Sequence, residues 1–128
     1  MLTPQTLVVV ADGTSAVFWI NHGEKTDLQH SETLTARDVA NDGPSGSTPS
    51  EQSIQDTSEA TFVKHLVQKL NNMALQHKIA GDVIIIADPN SLGQMRPQYH
   101  AELSKRIVRE VPKTLVKATK QELEKALS

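Results

Sequence analysis

Cysteine is absent from the 128 residues, which excludes a disulfide scaffold, thiol catalysis and any cysteine-ligated metal centre. Aromatic residues are scarce, with two Phe, one Trp and one Tyr, so a core has to be built from aliphatic side chains. Neither sign of charge dominates. The 13 Lys and Arg against 15 Asp and Glu leave a formal charge of -2, which gives no overall electrostatic case for nucleic acid or an anionic membrane. Long hydrophobic runs are missing as well. The apolar stretch Leu7–Ala11 is short and no basic segment precedes it, so neither membrane insertion nor a signal peptide is expected, and the expected location is cytoplasmic. A chain of this size and composition suits one domain over residues 1–128.

What is present is strongly patterned. Leu7 to Ala11 is a continuous aliphatic run of the kind buried on both faces, which predicts a central strand. Asp12-Gly13-Thr14-Ser15 supplies turn chemistry, and Ala16 to Ile20 resumes strand character, so the pair reads as a hairpin. A second turn at Asn21–Glu24 and weak alternation from Thr26 to Ala36 complete a three-stranded meander. Its exposed edge allows pairing with a second copy, so monomer and dimer both remain open.

From Asp38 to Ser58 the composition shifts to Gly, Pro, Ser, Thr, Asn, Asp and Gln, with almost nothing to bury. A polar stretch at about 38–57 is longer than ordinary connections and reads as a loop with a function or as a mobile excursion. The spacing of Phe62, Leu66, Leu70 and Met73, with Leu75 half a turn on, predicts an amphipathic helix over 58–78, with Glu59 in its first turn. Val83 to Ala87 is the strongest buried-strand signal, and Asp88-Pro89-Asn90 reads as its exit. A short helix over Pro97–Lys105, a strand over Ile107–Val111 and a helix over Lys120–Leu127 close the pattern. The expected fold is α/β, a single layered domain of order β-β-β-α-β-α-β-α with a mixed five-stranded sheet and flanking helices.

Three stretches carry a resemblance: VVVADGTSAVFW at 8–19, IIIADPNSLGQMR at 84–96 and VPKTLVKATKQELEKAL at 111–127. Together they resemble the bacterial host attachment protein family, which is similar in fold to the middle domain of archaeal and eukaryotic peptide chain release factors and of Pelota, a ribonuclease-H-like topology. The resemblance implies that fold over nearly the whole chain, a link to attachment to host cells, and a ribosome or RNA as partner. Release-factor middle domains carry Gly-Gly-Gln in their long loop. Here that loop contains Gly43 to Ser47, GPSGS, and no Gly-Gly-Gln occurs anywhere, so peptide release by that route is not expected.

The candidate chemistry is limited. Gly43, Ser45, Gly46 and Ser47, led into by Arg37, offer backbone amides and hydroxyls for an anion, or else belong to a disordered excursion. Arg96 is the best single RNA candidate among the basic residues concentrated after position 95, since it follows the LGQM turn beside the Asp88 strand end. These cations otherwise read as a solvated helical face. Asp12 and Asp88 follow the two buried strands, where ligands favour parallel sheets. With Glu59 they invite comparison with a Mg²⁺- or Mn²⁺-dependent nucleic-acid hydrolase. The structural alternative is a turn residue, a strand terminator and a helix start. His22, His30 and His100 have no metal-ligand spacing, and Trp19 reads as a core or sheet-face residue. The leading expectation is therefore a non-catalytic interaction module with no cofactor, using Asp12, the 38–57 loop and Arg96 to contact a ribosome, RNA or protein partner. The metal-dependent hydrolase and an indirect role in attachment are the alternatives.

Overall fold

A computed structural model describes residues 4–23, 26–36 and 59–127. Their element order is β1 (Leu7–Ala11), β2 (Ser15–Asn21), β3 (Leu28–Thr35), α1 (Glu59–Leu75), β4 (Val83–Ala87), α2 (Pro89–Met95), a 3₁₀ turn (Arg96–Gln98), α3 (Ala101–Ser104), β5 (Ile107–Val111) and α4 (Lys120–Leu127). The strands form one mixed sheet in the order β3-β2-β1-β4-β5, the mixed five-stranded arrangement with flanking helices that the sequence predicts. Strand β1 pairs antiparallel with β2 and parallel with β4, in the register Leu7↔Val83 to Ala11↔Ala87.

The two all-aliphatic strands occupy the centre because both of their faces are covered. Alternation sends Leu7, Val9, Ala11, Val83, Ile85 and Ala87 to the side of α1, where Phe62, Val63, Leu66, Val67 and Leu70 meet them. The opposite faces, Val8, Val10, Ile84 and Ile86, pack with Leu28 and Val111 beneath Leu123 and Leu127 of α4. That second layer is thin. An eight-residue helix has little intrinsic stability, and α4 is held by its apolar face and by a capping box. In the box the Thr119 amide donates to Glu122 Oε1 at 2.9 Å, and the Glu122 amide donates to Thr119 Oγ1 at 3.2 Å. The first of these bonds does most to hold the Glu122 carboxyl below its ordinary range.

Both sheet edges are blunted by irregular pairing. In β3 the register passes from Phe18↔Glu32 to Trp19↔His30 and leaves Ser31 over. In β5 it passes from Val83↔Ile107 to Ile84↔Arg109 and leaves Val108 over. Such bulges interrupt the row of hydrogen-bonding groups that an edge would offer to another strand. Trp19 lies half-buried on the α4 side of the sheet, edge-on to His30, which agrees with a sheet-face role.

Three expectations need correction. The long helix ends at Leu75, not 78: His77 adopts a left-handed φ of 59°, and the Lys78 amide closes onto the Met73 carbonyl at 2.8 Å. Leu75 does not face the core. It is 46% exposed, and Ala74, one helical step earlier, is buried in its place. The stretch assigned as one helix over 97–105 is divided: Pro97 lies within a 3₁₀ turn, the extended Tyr99 and His100 separate that turn from α3, and the preceding residues 89–95 form α2.

Candidate functional site

The carboxyl ends of β1 and β4 lie side by side, since Ala11 pairs with Ala87, and Asp12 and Asp88 follow directly. Asp12 is committed to its own turn. Its Oδ1 accepts from the Thr14 amide at 2.7 Å, the Thr14 hydroxyl at 3.0 Å and the Ser15 amide at 2.8 Å. The Asp12 amide in turn donates to the Ser15 carbonyl at 2.9 Å, so side chain and backbone close the same four-residue turn.

Two chain ends meet this turn. The Ala36 amide donates to the Thr14 carbonyl at 2.9 Å, so β3 finishes against it. Glu59, the first residue of α1, lays its side chain over Gly13. A Cβ added at Gly13 would come within 2.5 Å of Glu59 Cγ and Cδ, and the glycine therefore leaves room for that carboxylate. Ala36 and Glu59 thus lie beside one turn, at the carboxyl end of the parallel pair.

Asp88 has a different task. It caps α2: its Oδ2 accepts from the Ser91 amide at 3.0 Å, with Pro89 in the first helical turn. Its Oδ1 is buried and has no hydrogen-bond partner among the described residues. Asp12 also lines a cavity of about 510 Å³ on the α4 side of the sheet, with Leu115, Val116, Lys117 and Glu122. Among the described residues no three His, Asp or Glu side chains are grouped so as to hold a metal ion. Asp12, Glu59 and Asp88 are thus not among any such group, the arrangement that the metal-dependent alternative expects.

Arg96 is elsewhere. LGQM is not a turn but the last part of α2, and it carries Arg96 away from the strand end to the C-terminus of that helix. There its Nε pairs with Glu110 Oε1 of β5 at 3.0 Å, while the Tyr99 hydroxyl donates to Glu110 Oε2 at 3.3 Å. Burial, followed by the charge and hydrogen bond of Glu110, pushes the Tyr99 phenol up, with Arg96 opposing, so Tyr99 stays a donor. The partnership of Arg96, Tyr99 and Glu110 had no local signature, because positions 96 and 110 meet only through the crossover into β5. The remaining candidates, Arg37, Gly43, Ser45, Gly46 and Ser47, lie outside the described residues.

The turn geometry gives an expected outcome for Asp12. Asp12→Ala removes the acceptor shared by two amides and a hydroxyl and should cost about 1–2 kcal/mol in urea unfolding. Asp12→Asn keeps a carbonyl oxygen in that place and should stay within about 0.5 kcal/mol of the parent. A loss on Asn as large as that on Ala would show that the charge matters and not the acceptor.

The family model described as bacterial archaeo-eukaryotic release factor family 12 matches residues 5–127. No curated protein matches the chain.

Proposed function

Since the chain belongs to bacterial archaeo-eukaryotic release factor family 12, we propose that it is a non-catalytic, cytoplasmic interaction module that docks on the translation machinery, contacting ribosomal RNA or protein with the carboxyl end of its sheet. The observation that carries this is the convergence of Ala36 and Glu59 on the Asp12–Ser15 turn. Ala36 and Glu59, the described residues that border the polar stretch in sequence, are both held at this end of the sheet, where loops commonly carry binding residues. The sequence of the segment, with Arg37, Gly43, Ser45, Gly46 and Ser47, supplies donors suited to phosphate or carboxylate oxygens. Release-factor middle domains act through Gly-Gly-Gln, and this chain contains none, which supports docking rather than peptide release. The attachment to host cells implied by the sequence resemblance would then be an indirect consequence of that docking.

Deleting residues 42–50 leaves every described element in place. The shortened protein should keep its unfolding midpoint and lose most of its co-sedimentation with purified bacterial ribosomes. Undiminished co-sedimentation of the folded variant would remove the segment from the docking surface.

A further inference from the structure

The charge of the chain is strongly divided. Residues 96–128 hold eight Lys and Arg against four Glu, a balance of +4, so the first 95 residues carry -6. The bulk charge of -2 conceals this polarity. Within the basic part, a groove of about 410 Å³ runs along β5 and the turn before it, lined by Arg96, Tyr99, Ser104, Val108, Arg109 and Glu110.

The acid in this groove is already occupied. Glu110 accepts from Arg96 through one oxygen and from Tyr99 through the other. Arg96 spends only its Nε on that pair and is 57% exposed, so its two terminal nitrogens remain for a further acceptor. Arg109 is exposed and forms no ion pair among the described residues. Lys105 and Arg106 precede the strand and extend the positive surface, although Lys105 is shared with Glu102 at 2.9 Å. The bulge in β5 adds an apolar element. Val108 stands outside the ladder beside Arg109 and is 58% exposed, one of two large hydrophobic side chains so exposed among the described residues.

We propose that the Arg96–Arg109 groove grips the sugar-phosphate backbone of single-stranded RNA, with the two guanidinium groups on phosphate oxygens and the face of a base against Val108. Guanidinium pairs match phosphate geometry bidentately, and a groove of this size admits about one nucleotide. An apolar side chain beside the cations suits the face of a base next to its own phosphate, a pairing that a run of acidic side chains alone does not offer. This surface is distinct from the Asp12–Ser15 end of the sheet and goes beyond the docking proposed there. The deletion of residues 42–50 leaves it untouched, so the two fail separately.

The test is fluorescence anisotropy of the full chain with a labelled dodecauridine at several salt concentrations. Arg109→Gln, which removes an exposed cation that pairs with no acid among the described residues, should weaken binding about tenfold and lower the salt slope by about 1. Arg96→Gln should do the same, its folding checked by thermal unfolding because the Glu110 pair is lost. Val108→Ser should weaken binding with the salt slope unchanged, which separates base contact from charge. Absence of RNA binding by the parent protein at about 100 μM, binding unaffected by Arg109→Gln, or tighter Arg109-dependent binding of an oligoglutamate peptide would each overturn the proposal.

Discussion

Phe62→Ala should cost about 3–5 kcal/mol, a large share of the roughly 5–15 kcal/mol that holds a domain of this size folded. Phe62 sits in the first turns of α1 with no exposed surface, in the same cluster as Val9, Ala11, Ile85 and Ala87 of the central strands. Only two Phe exist in the chain, and both are buried in this otherwise aliphatic cluster, with Tyr99 packed against it. Truncation removes the transfer energy of a whole ring and leaves a cavity that an aliphatic wall closes only in part. Urea unfolding should show a lower midpoint with an unchanged slope. Leu75→Ala, made on the same helix at its exposed position, should shift the midpoint by no more than about 0.5 kcal/mol and serves as the internal control. Equal losses at the two positions would contradict the assigned helix face.

Leu123→Ala should cost about 2–4 kcal/mol and act through a different element. Leu123 is buried beneath α4, whose eight residues rely on tertiary contact for their helicity. The same helix reaches across to the start of β3. Glu124 Oε2 accepts from the Leu28 amide at 2.8 Å, and Lys120 Nζ pairs with Asp27 Oδ1 at 2.9 Å. Losing the anchor should therefore release two elements. Hydrogen exchange is the sharper readout: the Leu28 amide should exchange much faster in the variant, while amides of α1 keep their protection. Unchanged protection at Leu28 would mean that α4 is held by something other than its apolar face.

These outcomes show what the sequence made legible. Residues 7–11 and 83–87 announce the central parallel pair because a strand covered on both faces has no polar positions to obscure it. The helix face over Phe62–Leu70 follows from period alone. Boundaries set by tertiary contact did not. At 88–90 the residues Asp-Pro-Asn look like a strand exit, yet Asp88 is a helix cap with Pro89 in the first helical turn, the asymmetry by which helices begin. Reading that signal would have placed α2 and moved Arg96 off the strand end. Glu110 was a lone acid within a basic stretch, and its double engagement by Arg96 and Tyr99 exists only in three dimensions. Asp12 and Asp88 stand at neighbouring strand ends, and the turn role of Asp12 is legible in Asp-Gly-Thr-Ser, whereas the hydrogen bonds that commit each carboxylate exist only in three dimensions.

The most direct test of docking through the carboxyl end of the sheet is hydrogen exchange of the full chain with and without saturating purified ribosomes. The account predicts slowed exchange at the Thr14, Ser15 and Ala36 amides, which define the turn and the strand end that meets it. The Gln5 and Asn21 amides, bonded at the opposite end of β1, should be unaffected. Protection confined to that opposite end, or none on saturation, would contradict it.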